Sequence, residues 1–344
     1  MASSNGSDCA FAEELYDIIP LQVVQWMYIF TSILSITLVF YTARNYLHRT
    51  IFENVTKELI VALYVYITIF SICLIFAQGS QLAYRYLATQ KCDAQVPKVW
   101  CIFRYILTVL TSTFIFIHTG ITLQFLFASF HFRSRAEKIA ARLSIVISLV
   151  YALLFAVVAY YKESVEGRTP YCSGWTANSE GILMFNLYFS LVPDILNTLV
   201  SLFLWKYNEG KMIEDRNSFD LSLSFHRRQI LYAMEQFLPV TALHALFYLV
   251  FFREKKTFHS EPNKPVSVTN IFSQSIKSSM SSGWYLTTSV IANITPHYCF
   301  LCPLIFLILI RRGHFKRVSH VRNMINQERN PNELYFSALK GQWH

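Results

Sequence analysis

The segment LIVALYVYITIFSICLIFAQ (Leu59–Gln78) is 20 consecutive residues without a charged side chain. An α-helix needs about 20 mostly apolar residues to cross the hydrocarbon core of a bilayer, so this segment predicts a transmembrane helix. Six other stretches of the chain have similar length and composition. The seven predicted spans lie approximately at 18–43, 59–78, 105–130, 143–161, 181–205, 229–252 and 283–310.

Charged residues are nearly absent from these spans. Five spans contain no Asp, Glu, Lys or Arg, and the other two contain one acid each, Asp194 and Glu235. Only 15% of the whole chain is charged and the mean hydropathy is +0.34, whereas soluble domains have about 25% charged residues. The sequence therefore predicts an all-α membrane protein, a seven-transmembrane helix bundle. We expect an outer tail at 1–17, the bundle at 18–310 and an inner tail at 311–344.

Lys and Arg are concentrated on one side of the predicted bundle. If the N-terminus lies outside the cell, 19 of the 30 basic residues fall in inner segments and 11 in outer segments. Residues 1–17 contain four acids and no basic residue. Basic residues favour cytoplasmic loops, so the sequence predicts an outer N-terminus, although the basic segment after Phe252 argues against it. An outer tail would expose the sequon NGS at Asn5 to glycosylation.

The net charge of +9 does not indicate nucleic-acid binding, because the basic residues flank the spans. Such residues are attracted to anionic lipid on the cytoplasmic side. After Ile310 the sequence reads RRGHFKRVSHVRNMI, with apolar residues at near-helical spacing among basic ones. This pattern predicts a short amphipathic helix on the inner membrane surface. The alternative is a basic tail that only marks the inner side. The apolar positions are Phe315, Val318, Val321 and Ile325.

Four of the seven cysteines, Cys9, Cys92, Cys101 and Cys172, fall on the predicted outer face. An oxidising compartment favours disulfides there, and four cysteines allow three pairings. A bond between Cys101 and Cys172 would hold the second outer loop over the bundle and leave Cys9 to pair with Cys92. The alternative joins Cys92 to Cys101 and leaves Cys9 and Cys172 to pair.

Ionisable side chains inside a bilayer are costly, so each marks a candidate functional position. His118, Asp194 and His244 lie midway along the third, fifth and sixth spans, Glu235 lies nearer the inner end of the sixth, and His297 lies in the seventh. These groups either line a ligand cavity or form hydrogen bonds that fix helix packing. Aromatic residues in the outer halves of four spans are further candidates for the walls of a ligand pocket. They are Tyr105, Tyr188, Tyr248, Trp284 and Tyr285.

Sequence motifs of enzymes and metal sites are not evident. The chain has no His-Glu-x-x-His motif and no glycine-rich phosphate loop. Cys299 and Cys302 are spaced like zinc ligands, but they lie in a span without a second pair. The sequence therefore indicates neither an enzyme nor a cofactor or metal ion.

Several short motifs resemble those of nematode serpentine chemoreceptors of class alpha and of the related class alpha-beta. The tail begins Cys9-Ala10, and RNYLHRTIFENVTKELI (Arg44–Ile60) is similar to the family's first inner loop. The segment from Cys92 to Arg104 resembles its paired cysteines at the third helix. LSLSF (Leu221–Phe225) and Pro303-Leu304 before Arg311-Arg312 resemble the start of its sixth helix and the end of its seventh. The likeness covers nearly the whole chain.

The resemblance implies a chemosensory G-protein-coupled receptor in the plasma or ciliary membrane of a sensory neuron. Its partners would be a small chemical ligand, membrane lipid and a heterotrimeric G protein, and its oligomeric state is left open. The candidate coupling surface comprises residues 130–142, residues 206–228 and the start of the tail. Within it the candidate contact residues are Arg133, Arg135, Arg227 and Arg228.

One departure from the family pattern affects the expected signalling. Gln124-Phe125 stand where the family often has Glu-Arg, near the inner end of the third helix. A receptor-like membrane protein without its own G-protein signalling is therefore one alternative. A ligand-gated channel or transporter is another, but it would need a polar path through spans that are mostly uncharged.

Overall fold

The computed structural model describes residues 6–47, 52–130, 134–172, 176, 178–215, 221–259 and 295–329. These ranges are almost entirely helical. The α-helices are α1 (Gly6–Asp17), α2 (Ile19–Asn45), α3 (Asn54–Leu87), α4 (Ile102–Ser129), α5 (Ser134–Tyr160), α6 (Glu180–Asp215), α7 (Leu221–His259) and α8 (Thr295–Arg329).

Seven of these helices, α2 to α8, are long and apolar enough to cross a membrane. The seven-helix bundle predicted from the sequence is therefore confirmed. Several helices are longer than the predicted spans, and α3 has 34 residues, which corresponds to about 51 Å. Helical hydrogen bonding continues past the apolar stretch, so hydropathy locates the membrane crossing and not the helix ends. Residues 283–294 of the seventh predicted span lie outside the described residues.

The helix predicted after the last span is present as a direct continuation of it. One helix, α8, runs from Thr295 to Arg329 with Pro303 inside it. Phe315, the first residue of the predicted apolar stripe, is exposed. The side chains of Val318, Val321 and Ile325 lie outside the described residues.

The centre of the bundle is formed mainly by α3, α4 and α7. In the most apolar stretch of α4, 67% of the residues are buried inside the protein. In the corresponding stretch of α5, only 17% are buried. The outward side of α5 presents large apolar residues, including Leu153, Leu154 and Val157. An exposed surface made of many large apolar side chains is suited to lipid and not to water. Helix α5 therefore lies at the lipid-facing edge of the bundle.

Two disulfides organise the end of the bundle at which α1 lies. Cys9 in α1 is bonded to Cys92 in a short 3₁₀-helix, and Cys101 is bonded to Cys172 in the loop between α5 and α6. Of the two schemes considered from the sequence, the structure contains the first. The four cysteines assigned to the outer face thus lie at the same end of the molecule.

Polar contacts reinforce the same end. Strand β1 (Val96–Pro97) pairs antiparallel with strand β2 (Arg168–Thr169), which joins the two outer loops. Lys91 Nζ donates to both carboxylate oxygens of Asp17, at 2.8 and 2.6 Å. This hydrogen bond raises the pKa of the Lys91 amine. Both side chains are exposed, so the pair positions α1 and contributes little stability.

Helices α4 and α5 approach closely at Gly120. A Cβ atom at this position would lie 2.7 Å from Ser144 Cβ and 3.4 Å from Leu59 Cδ2. Small residues allow helix backbones to approach in membranes, where packing drives association. Gly120 therefore provides the room for the contact between α4 and α5.

Gly120→Ala is expected to destabilise the bundle by about 1–3 kcal/mol, the usual range for overpacking a close contact. Gly79→Ala in α3 is the matched control, because a Cβ atom there has no neighbour within 4 Å. Thermal unfolding of both variants in detergent would compare them. Equal stability of the two variants would contradict a tight contact between α4 and α5.

Candidate functional site

Three ionisable residues singled out in the sequence meet in the interior of the bundle. His118 is on α4, Asp194 is on α6 immediately after Pro193, and His244 is on α7. One donor atom from each of the three lies within 4.8 Å of the other two. With Tyr298 on α8 they form what we name the core cluster: His118, Asp194, His244 and Tyr298.

Hydrogen bonds and ring contacts connect the core cluster. His244 Nδ1 lies 2.9 Å from Asp194 Oδ1, and His118 Nε2 lies 2.7 Å from the Tyr298 hydroxyl. The ring centroids of the two histidines are 4.5 Å apart, and those of His244 and Tyr298 are 4.6 Å apart. Phe114 packs edge-on against both His244 and Tyr298. The cluster thus joins four of the seven transmembrane helices.

The core cluster is fully enclosed by protein. Its four side chains are between 0% and 2% exposed. Two of its polar atoms, His118 Nδ1 and Asp194 Oδ2, make no hydrogen bond to any described residue. Unpaired buried polar atoms cost about 1–3 kcal/mol each, so the cluster has a capacity for hydrogen bonding or ligation that the described residues leave unused.

Tyr298 was not singled out from the sequence. Its neighbour His297, which the sequence did single out, is only half-buried, and its ring centroid lies 5.7 Å from that of Tyr28 in a T-shaped arrangement. Adjacent helical residues project about 100° apart, so only one of the two can face the cluster. The sequence signal that could have identified Tyr298 is its polar hydroxyl midway along an apolar span.

The aromatic pocket candidates do not join the core cluster where the structure describes them. Tyr105 is half-buried and stacks on Tyr160, with ring centroids 4.2 Å apart. Tyr188 is 47% exposed on α6. The side chain of Tyr248 and the whole of Trp284 and Tyr285 lie outside the described residues.

A second polar group, missed in the sequence, lies beneath α1. Gln25 Nε2 donates to Gln81 Oε1 at 2.7 Å, and both residues line a cavity with Arg85 and Tyr171. Tyr171 also accepts a hydrogen bond from Arg104 at 3.2 Å. The cavity measures about 30 Å³, which is large enough to hold a water molecule. It lies against α2 and α3, away from the helices expected to form the pocket.

A comparison with protein families matches residues 4–343 to the model described as serpentine type 7TM GPCR chemoreceptor Sra. The chain belongs to the Sra family. The class-alpha resemblance of the motifs is therefore confirmed, and the chain is an integral multi-pass membrane protein of a chemoreceptor family. No curated protein matches the chain.

The position at which this Sra chain departs from the expected Glu-Arg pair is packed in the interior. Gln124 is 2% exposed, and its Oε1 accepts a hydrogen bond from Thr56 at 3.0 Å. Phe125 is also 2% exposed and packs against Phe237, with ring centroids 5.7 Å apart. The two residues connect α4 to α3 and α7 through neutral contacts.

The candidate coupling residues of the Sra chain differ in exposure. Arg135 at the start of α5 and Arg228 near the start of α7 are exposed, whereas Arg227 is 7% exposed. Arg133 and the glycosylation candidate Asn5 lie outside the described residues. Of the three candidates that the structure describes, Arg135 and Arg228 therefore present their guanidinium groups at the surface.

Proposed function

We propose that this Sra chain is a chemosensory receptor that binds a small external ligand and signals through a heterotrimeric G protein. Family membership over residues 4–343 is the observation that carries the proposal. The seven apolar helices and the disulfide-linked end of the bundle support it.

The core cluster is the proposed link between ligand binding and the inner face. It joins α4, α6, α7 and α8 through hydrogen bonds and ring contacts that depend on the relative rotation of those helices. A ligand shifts such a bundle only if it binds two helix arrangements with different affinity. A ligand that approaches from the disulfide-linked end and separates these contacts would favour a second arrangement.

The proposed coupling surface is the opposite end of the bundle. Arg135 and Arg228 are exposed there, and a basic surface suits an acidic partner. Asn208 Nδ2 donates to Ser129 Oγ at 2.6 Å, so the inner part of α6 is tied to the end of α4. Movement of α6 during activation would have to break this hydrogen bond.

The test combines topology and activity in one cell line. Both termini carry tags, surface labelling of intact cells reports the outer terminus, and G-protein activation is recorded across an odorant panel. Tyr298→Phe removes only the hydroxyl that contacts His118. It is expected to shift the concentration–response curve of any active odorant by about fivefold, since a hydrogen bond between uncharged groups is worth about 1 kcal/mol.

Tyr64→Phe is the matched control, because Tyr64 is also buried but packs edge-on against Phe306, which is not a member of the cluster. It should leave the curve unchanged. An inner N-terminus would overturn the proposal and direct attention to ion currents. An outer N-terminus without G-protein activation, whether odorant is present or absent, would favour the alternative below.

The alternative is a receptor-like protein without its own G-protein signalling. The neutral packing of Gln124 and Phe125 favours it, because these residues provide no ionic element at the inner end of α4. Gln124→Glu with Phe125→Arg would restore the expected pair, but the arginine would replace a buried ring. Gln124→Glu alone is the cleaner test, and activation by that variant would argue against this alternative.

A further inference from the structure

The core cluster has the composition of a transition-metal site. Two imidazoles and one carboxylate, from His118, His244 and Asp194, offer donor atoms within 4.8 Å of one another. Tetrahedral Zn²⁺ with bonds of about 2.0–2.1 Å needs donor atoms roughly 3.4 Å apart. Movements of about an ångström in side chains of three packed helices would bring the donors to that spacing.

Two polar atoms of these ligand candidates make no hydrogen bond in the described part of the chain. They are His118 Nδ1 and Asp194 Oδ2, and both side chains are at least 99% buried. Asp194 Oδ2 in particular is a carboxylate oxygen in the interior of a membrane bundle, where an unneutralised charge is costly. A bound cation would satisfy both atoms and neutralise the carboxylate.

The remaining contacts of His118 match those of a metal ligand. A ligating histidine usually donates its second ring N–H to a neighbouring polar group, which fixes the tautomer and the ring orientation. His118 Nε2 lies 2.7 Å from the Tyr298 hydroxyl. With its Nε2–H donated to that oxygen, Nδ1 of His118 carries a lone pair that no described residue uses.

The ligand types select the class of metal. Mg²⁺ and Ca²⁺ prefer sites made entirely of oxygen, whereas imidazole suits Zn²⁺ and the neighbouring divalent transition metals. Two histidines and one carboxylate also leave a fourth position for water, as in open zinc sites. Ionisation of that water would cancel the charge that a single carboxylate leaves.

We propose that His118, Asp194 and His244 bind a divalent transition-metal ion of the Zn²⁺ class between α4, α6 and α7. The ion would join three transmembrane helices at mid-depth and hold their relative positions. This proposal concerns binding alone and does not depend on ligand recognition or on G-protein coupling.

The test measures metal on the purified full-length protein in detergent, prepared with an affinity tag that contains no histidine. The protein is stripped with a chelator and then dialysed against Zn²⁺ or Co²⁺. We expect one ion per chain by mass spectrometry of the metal, visible d–d absorption typical of tetrahedral Co²⁺, and a higher thermal unfolding temperature with the ion.

Variants assign the ion to the cluster. Asp194→Asn should abolish stoichiometric binding while keeping a hydrogen-bonding side chain beside His244. Tyr298→Phe should weaken binding by about 10–100-fold, as expected when a partner of a ligating histidine is lost. His118→Cys should keep one ion and add a thiolate–Co²⁺ charge-transfer band, which tests the site even if Asp194→Asn does not fold.

Control variants exclude other donors. His297→Gln, His226→Gln and Cys302→Ser should each retain one ion, because none of these residues belongs to the three-ligand set. Wild-type protein without a bound ion would overturn the proposal. The proposal would also be overturned if Asp194→Asn protein bound as much metal as wild type. A loss of the ion in Cys302→Ser and in none of the other variants would overturn it as well.

Discussion

Replacing His244 with alanine is expected to destabilise the folded protein by about 3–5 kcal/mol, the cost of removing one partner from a buried pair. Asp194 is fully buried, and its Oδ1 lies 2.9 Å from His244 Nδ1. Its other oxygen, Oδ2, already makes no hydrogen bond to a described residue. The variant would therefore leave a carboxylate with neither oxygen paired inside the bundle.

The loss is a large fraction of the roughly 5–15 kcal/mol that stabilises a typical protein, so little of the variant should reach the cell surface. Thermal unfolding in detergent with a chelator present measures the effect apart from any metal. Asp194→Asn combined with His244→Ala removes the charge and should recover part of the stability. His297→Ala is the control, and equal losses for His297→Ala and His244→Ala would contradict the central role of the pair.

Replacing Cys101 with serine is expected to cost about 2–5 kcal/mol, because its disulfide to Cys172 closes a long loop, with a separation of 71 positions in the sequence. The bond fixes the loop that carries Tyr171, whose hydroxyl accepts from Arg104. Without it, the loop between α5 and α6 is free to leave the end of the bundle. Surface labelling and thermal unfolding under non-reducing conditions measure the loss.

The second disulfide provides a matched comparison. Cys9 and Cys92 are separated by 83 positions, so loop-closure entropy alone predicts nearly the same loss. Cys9→Ser frees only α1 at the end of the chain, where opening is local, and should therefore lower the unfolding temperature of the bundle less. Cys172→Ser, alone or with Cys101→Ser, should match Cys101→Ser. A greater loss in Cys9→Ser would show that α1 holds the bundle together.

Part of the core cluster was identifiable from residue type and depth. An ionisable side chain midway along an apolar span is energetically costly unless it faces the interior of the bundle. His118, Asp194 and His244 were therefore recognisable individually. Their meeting was not predictable, because they lie on three helices far apart in sequence. Tyr298 was missed for the same reason, since tyrosine is common in membrane spans and its role depends on which way α8 is rotated.

The aromatic pocket candidates illustrate the limit of depth as a criterion. Tyr105 and Tyr188 were chosen for their positions along the spans, yet Tyr105 stacks on Tyr160 and Tyr188 is exposed on α6. Gln25 and Gln81 were not considered, and they form the buried hydrogen bond at the cavity beneath α1. The depth of a side chain in the membrane follows from its position along the span. The direction in which it points depends on how its helix packs against the others.

The sequence by itself determined the seven membrane-crossing helices, because each span is a local property of about 20 residues that must satisfy its backbone groups within lipid. It also placed four cysteines on one face, by counting loops between spans. Only the tertiary structure decided how far each helix extends, which cysteines pair, and that His118, Asp194, His244 and Tyr298 meet. These features depend on the rotation and approach of whole helices, which side-chain packing sets across contacts such as Gly120 against Ser144.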